Sequence, residues 1–166
     1  LIPGVLELVV ALRQRGLRIG STTGYAAEMM AMVQPGAQAA GYAPDCVVCA
    51  SDVPIGRPAP FMCFENARRL GVYPMAAVVK IGDTVADVDE GLNAGAWTIA
   101  LAACGNEVGL SAAALSALPE TERAARLATA HSRLAAAGAH YVVNGPADCL
   151  PLFDAIERRL HDGEHP

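Results

Sequence analysis

An acidic turn between a strand and a helix limits the fold of this chain more than any other feature. The apolar residues 76–79 lead into an acidic stretch at 80–87, and helix-like residues follow at 88–95. Asp83 and Asp87 would then lie four residues apart at the carboxyl end of a strand, where open α/β sheets bind ligands. A close carboxylate pair in a cleft is unfavourable unless a cation or a proton relieves the repulsion. Because Mg²⁺ is usually held by one or two carboxylates and substrate phosphate, the turn indicates a metal-assisted phosphate site.

The same turn has a second interpretation that needs no ligand. Thr84 or Asp87 could cap the following helix through a side-chain oxygen, and Asp83 would then be a solvated turn residue. The turn alone does not choose between these two interpretations.

Strand-like and helix-like segments alternate along the whole chain. Strands are predicted at 17–21, 46–49, 76–79, 97–100 and 140–143. Helices are predicted at about 5–15, 59–70, 88–95 and 120–137. A further helix begins near residue 26, and a terminal helix ends near residue 160. Repeated strand–helix units predict a parallel sheet covered by helices on both faces. The chain of 166 residues is therefore expected to be one α/β domain with a Rossmann-like sheet.

Composition and charge exclude several classes of partner. The chain is 53% hydrophobic and 17% charged, which favours a compact domain. A net charge of -5 argues against nucleic-acid and anionic-membrane partners, which need a basic face. No signal peptide or membrane span is predicted, so we expect a cytoplasmic protein with reduced cysteines. The first residue is Leu and opens directly into a helical pattern, which predicts that the chain begins inside a larger protein.

Two further loops carry residues suited to phosphate. The hydroxyls and backbone N–H groups at 21–24, which include Thr22 and Thr23, would lie between a strand and a helix N-terminus and could hold an anion. Arg57 stands between Gly56 and Pro58, a setting that would fix its guanidinium for bidentate phosphate contact. Each alone could be an ordinary helix start or a surface arginine. In this order with Asp83, they make a stronger case together.

This order of polar turn, basic loop and Gly-Asp-x-x-x-Asp resembles the haloacid dehalogenase superfamily, and within it the phosphonoacetaldehyde hydrolase family. The resemblance covers nearly the whole chain. It rests on IGSTTGY (19–25), EMM (28–30), DVPIGRPAP (52–60), GVYP (71–74), VKIGDT (79–84), GNEVGL (105–110) and GAHY (138–141).

The resemblance implies a role for each candidate residue. Asp83 would be a direct Mg²⁺ ligand and Asp87 would support it, while Thr23, its neighbour Thr22, and Arg57 would bind the phosphoryl group. The implied catalytic residues are thus Thr23, Arg57 and Asp87. The implied reaction is hydrolysis of a carbon–phosphorus bond, which gives acetaldehyde and phosphate. It uses a nucleophilic aspartate and a lysine that forms a Schiff base with the aldehyde.

The sequence departs from this family at its N-terminus. It has no Asp-x-x-Gly-Thr motif for the nucleophile and no helical cap with the Schiff-base lysine. Its only lysine, Lys80, lies three residues before Asp83 and should face the opposite side of the strand. We therefore expect the C-terminal part of a haloacid dehalogenase-like core without its central strand, which would lie between the strands at 17–21 and 76–81.

A missing central strand has structural and functional consequences. Since strands pair about 4.8 Å apart, the loss would leave a gap of roughly 10 Å with unpaired backbone on both sides. The chain alone is predicted to be aggregation-prone, rearranged or inactive, and the intact protein could be a homodimer. Two alternatives remain open: a general phosphatase of the superfamily, and a non-catalytic phosphate- or metal-binding remnant.

Overall fold

The computed structural model describes all 166 residues and shows alternating strands and helices. The main elements are α1 (Val5–Gln14), β1 (Gly20–Thr23), α2 (Ala27–Ala39), β2 (Cys46–Cys49), α3 (Phe61–Leu70), β3 (Val79–Gly82), α4 (Val85–Asn93), β4 (Trp97–Leu101), α5 (Ala112–Ser116), α6 (Glu120–Ala136), β5 (Tyr141–Val143) and α7 (Leu150–His161). No helix is long and apolar enough to cross a membrane. All five cysteines are free thiols.

All strand pairs are parallel, as predicted, but they form two sheets. β1 pairs with β2, and Gly20 lies opposite Cys46. β3, β4 and β5 form the second sheet in that order, with Val79 opposite Trp97 and Ile99 opposite Tyr141. The predicted α/β class with a parallel sheet is confirmed.

Helices cover both faces of the three-stranded sheet. On one face, Ile99 of β4 packs in a cluster with residues of α1 and α7, including Leu8 and Phe153. On the other face, its neighbour Ala100 packs with Val88 of α4 and Leu134 of α6. This alternation follows from the two-residue period of a strand, and it makes β4 the buried centre of the fold.

β1 and β3 each keep one edge without a partner strand. β1 pairs only with β2, and β3 pairs only with β4. A side-chain contact crosses between them: Lys80 Nζ of β3 donates to Thr22 Oγ1 of β1 at 2.7 Å. We call this strand-free boundary between β1 and β3 the seam. It lies where the sequence analysis places the missing central strand.

Two predicted strands begin too early in the sequence. β1 starts at Gly20 rather than residue 17, so Thr22 and Thr23 belong to the strand and not to the turn. Its extent is set by pairing with β2, which ends at Cys49 opposite Thr23. β3 starts at Val79 because Met75–Ala77 forms a 3₁₀ turn instead. The alanines of that turn have little preference for strands.

Candidate functional site

Asp87 is the most completely bonded residue of the predicted site. It lies in the first turn of α4, and its side chain is only 6% exposed. Thr84 Oγ1 donates to Asp87 Oδ2 at 2.7 Å, and Lys80 Nζ lies 3.2 Å from Oδ1. Arg57 Nη1 also donates to Oδ1. Burial alone would raise the pKa of Asp87, but Lys80, Thr84 and Arg57 together bring that pKa below its usual value. Asp87 is therefore a fixed anion.

The start of α4 confirms one part of the ligand-free interpretation. Thr84 caps the helix, since its Oγ1 accepts the backbone N–H of Asp87 at 3.1 Å. Gly82, the last residue of β3, leaves the space that Asp87 needs, because a Cβ on Gly82 would lie 2.3 Å from Asp87 Cβ. Thr84 therefore both caps α4 and bonds the charged side chain of Asp87.

Asp83 lies directly after β3 and has a different set of contacts. Its Oδ2 accepts the backbone N–H of Asn106 at 2.8 Å. Gly105 allows this approach, since a Cβ on Gly105 would lie 2.2 Å from Asp83 Cβ. Asp83 and Asp87 therefore have no hydrogen-bond or ion-pair partner in common. In this structure Arg57 and Lys80 neutralise Asp87, and the sharing of a metal ion between Asp83 and Asp87 stays a prediction.

Arg57 lies in the loop between β2 and α3, where its guanidinium reaches Asp87 of α4. The same guanidinium lies near the turn after β1, because a Cβ on Gly24 would be 3.5 Å from Arg57 Nη2. The Arg57 side chain is 23% exposed, so it is accessible from solvent while its position is fixed by Asp87. This placement suits a cation that binds an anion at the strand ends.

The two threonines of β1 make separate contacts. Thr22 Oγ1 accepts from Lys80 Nζ and lies 3.4 Å from Glu90 Oε2, to which it donates. Thr23 Oγ1 accepts the backbone N–H of Tyr25 at 3.2 Å. Adjacent strand residues face opposite sides, so Thr22 turns towards the buried charges and Thr23 towards the loop. Among the predicted site residues, the structure brings only Arg57 and Asp87 into direct contact.

Sequence reasoning missed a buried ion pair beneath these residues. Glu90 is completely buried, and its Oε2 lies 2.5 Å from Lys80 Nζ. Lys80 contacts Thr22, Asp87 and Glu90 but not Asp83, which agrees with the expected opposite orientation on the strand. A signal existed in the sequence: the only lysine of the chain lies inside a strand, where a buried cation needs an acidic partner.

The residues present could supply one ligand to a metal ion. No group of three or more His, Cys, Asp or Glu side chains in the chain is arranged to hold a metal. Asp83 nevertheless fits as a single carboxylate ligand, since it lies at the strand end and accepts one backbone hydrogen bond. Mg²⁺ typically takes one or two carboxylates, with water and phosphate as the other ligands. Asp83 could thus supply one ligand to a hard cation, but it does not by itself form a complete site.

Comparison with known proteins gives a consistent set of relatives. A family model for haloacid dehalogenase-like hydrolases matches residues 1–95. A "phosphonoacetaldehyde hydrolase-like protein" of Syntrophobacter fumaroxidans is 54% identical over 166 residues, which are 100% of this chain and 60% of that protein. A "phosphonoacetaldehyde hydrolase" of Nitratidesulfovibrio vulgaris is 52% identical over 165 residues, 99% of this chain and 59% of that protein.

A solved structure extends the similarity to three dimensions. The crystal structure of a phosphonoacetaldehyde hydrolase-like protein from Oleispira antarctica superposes with a TM-score of 0.96 at 39% identity. The match covers 99% of this chain and 60% of that one. The chain thus spans about 60% of the length of the curated relatives above.

Proposed function

The chain belongs to the haloacid dehalogenase-like hydrolases, and on that premise we propose that it forms the C-terminal part of a Mg²⁺-dependent phosphonoacetaldehyde hydrolase. The reaction would cleave the carbon–phosphorus bond to give acetaldehyde and phosphate. The names of relatives that are 54% and 52% identical support this substrate. The observation that carries the proposal is the Arg57–Asp87 pair at the strand ends, which presents a fixed guanidinium where a phosphoryl group would bind.

Each residue of the site has a role in this proposal. Arg57, held by Asp87, would stabilise negative charge on the phosphoryl oxygens. Thr23 would donate to a phosphoryl oxygen from the end of β1, with Thr22 beside it. Asp83 would ligate Mg²⁺, and the bound ion would neutralise further phosphoryl charge. The substrate would be a small phosphonate, and the protein would act in the cytoplasm without a nucleic-acid or membrane partner.

The nucleophile and the Schiff-base lysine would come from outside these residues. A Schiff base needs a free amine as nucleophile. The amine of Lys80, the only lysine, is already bonded to Thr22, Asp87 and Glu90. We therefore propose that both groups lie in the part of the relatives that this chain does not cover, and that the whole protein could be a homodimer.

A test of the substrate needs the whole protein. We define the completed protein as residues 1–166 fused behind the segment of the Syntrophobacter fumaroxidans relative that the chain leaves uncovered. With phosphonoacetaldehyde and Mg²⁺ it should release acetaldehyde and phosphate in equal amounts. Borohydride should inactivate it only in the presence of the aldehyde, because reduction traps a Schiff base.

A general phosphatase of the superfamily is the second candidate, because these residues alone do not distinguish it from a phosphonoacetaldehyde hydrolase. The only lysine of the chain is bonded to three side chains, so the chain itself provides no Schiff-base group. Hydrolysis of phosphate esters by the completed protein, without acetaldehyde release and without borohydride sensitivity, would support this alternative. Absence of both activities would indicate a non-catalytic remnant that binds phosphate or metal.

Gly105→Ala should weaken Mg²⁺ binding by the completed protein. The added Cβ would overlap the Asp83 side chain, 2.2 Å from its Cβ, and would displace the proposed ligand. Because loss of a group that orients a ligand commonly weakens metal affinity, the Mg²⁺ concentration for half-maximal activity should rise about 10- to 100-fold. The matched control is Gly145→Ala, since no atom lies within 4 Å of its added Cβ. An unchanged Mg²⁺ requirement in the Gly105 variant would argue against Asp83 as a ligand.

A further inference from the structure

The buried charges at the seam connect the two sheets. Lys80 of β3 is 9% exposed, and its amine contacts three side chains. It lies 2.5 Å from Glu90 Oε2, 2.7 Å from Thr22 Oγ1 and 3.2 Å from Asp87 Oδ1. Since an ammonium group has three donors, Lys80 has one for each of these contacts. One side chain thus links β1 to β3 and to α4.

The backbone is shaped to admit the Lys80 side chain. Asp87, Glu90 and Gly91 share one face of α4, because they are spaced three and four residues apart. A Cβ on Gly91 would lie 2.9 Å from Lys80 Cβ and 2.4 Å from Thr98 Cγ2. Only glycine therefore lets the stem of Lys80 pass α4 without a displacement. The close approach of helix and strand accommodates the buried lysine.

A buried ion pair contributes little to the net free energy of unfolding. The desolvation of two charges offsets most of their attraction, and apolar replacements are often as stable. The Lys80–Glu90 pair also leaves Glu90 Oε1 buried without a donor among the residues of this chain, which adds to its cost. The arrangement is better explained by the position it gives to Lys80 than by the stability it provides.

We propose that Glu90 is a positioning residue for the phosphate site. Through Lys80 it fixes Thr22 on one side of the seam and Asp87 on the other, and Asp87 in turn fixes Arg57. Glu90 itself contacts neither substrate nor metal. This inference rests on the proposed function for the identity of the phosphoryl ligand.

The test begins with Glu90→Gln in the completed protein, which keeps the shape and removes the charge. Because small displacements of binding groups can cost up to about 100-fold in rate, kcat should fall roughly 10- to 100-fold. The KM for phosphonoacetaldehyde should rise by about tenfold at most, because the displaced groups also contact the phosphoryl group before reaction. The matched control is Glu65→Gln on α3, whose carboxylate accepts from Arg68 and Arg69 away from the site. The control should keep the kcat of the unsubstituted protein.

A double variant separates positioning from stability. Lys80→Met with Glu90→Gln removes both charges, so no unpaired charge remains buried and the protein should fold even if the single variant does not. Positioning predicts that the folded double variant keeps the low kcat, because Thr22 and Asp87 have lost their common donor. If the double variant regains the kcat of the unsubstituted protein, or if Glu90→Gln changes only the melting temperature, the inference is wrong.

A binding measurement keeps this inference separate from the choice of substrate. Titration calorimetry with orthophosphate and Mg²⁺ needs no turnover. Glu90→Gln should weaken orthophosphate binding about tenfold, whereas Glu65→Gln should not, since displaced binding groups lose contact geometry. If the completed protein does not act on phosphonoacetaldehyde but shows this difference, the proposed substrate fails and the positioning role stands. Equal orthophosphate affinities for both variants would overturn the positioning role.

Discussion

Replacing Arg57 with alanine should lower kcat/KM of the completed protein for phosphonoacetaldehyde by about 100- to 1,000-fold, the usual effect of losing one donor to a charged transition state. Two losses combine. The phosphoryl group loses its guanidinium, and Asp87, with a side chain only 6% exposed, loses one of its two cationic partners. Steady-state assay of acetaldehyde release measures the change.

Two further substitutions make this result specific to Arg57. Arg57→Lys should recover only part of the rate, because an ammonium is a point charge and lacks the planar fork of the guanidinium. Arg18→Ala should have no effect, since Arg18 is exposed and bonds to the carbonyl of Leu70 outside the site. If Arg57→Ala is as active as the Arg18 variant, then Arg57 only neutralises Asp87 and another group binds phosphate.

Residues 1–166 alone should release no acetaldehyde above background, and activity should appear only when the uncovered segment of the relative is added. The chain has no Asp-x-x-Gly-Thr motif, and the seam leaves an edge of β1 and an edge of β3 unpaired. An inserted strand would supply partners for both edges, which otherwise favour association with other chains. The experiment mixes the two polypeptides and follows turnover and light scattering.

The control for this mixture is the Arg57→Ala chain, which should associate with the segment but give little turnover. Scattering from residues 1–166 should fall as the segment is added, because fewer strand edges remain exposed. Robust turnover by the unassisted chain would contradict both the missing strand and the missing nucleophile.

Local patterns in the sequence predicted the elements that carry the site. The alternation of strands and helices is confirmed, and so is the cap by Thr84, which was one of two interpretations of the acidic turn. Boundaries were less accurate where pairing decides them. Residues 76 and 77 lie in a 3₁₀ turn rather than in β3, because β3 is defined by its register with β4.

The connections between site residues could not be predicted in the same way. The Lys80–Thr22 contact joins residues 58 positions apart. The local spacing of apolar residues does not predict a contact over that distance in sequence. Gly56 and Pro58 were expected to fix the Arg57 guanidinium, and the structure adds a bond from Arg57 to Asp87, 30 positions away. The roles of Thr22, Thr23 and Asp83 stay predictions, since each depends on a phosphoryl group or an ion.

The division of the sheet also bears on the order of folding. β1 and β2 are joined through α2, and β3 and β4 through α4, so each pairing closes a short loop. A strand inserted between β1 and β3 must instead find partners far away in sequence, which is the slow part of folding in proteins of high contact order. Amides at the facing edges of β1 and β3 should therefore gain hydrogen-exchange protection after those of the buried strand β4. The seam would be the last part of the protein to become ordered, and the stage before it closes would be the one most exposed to misassembly.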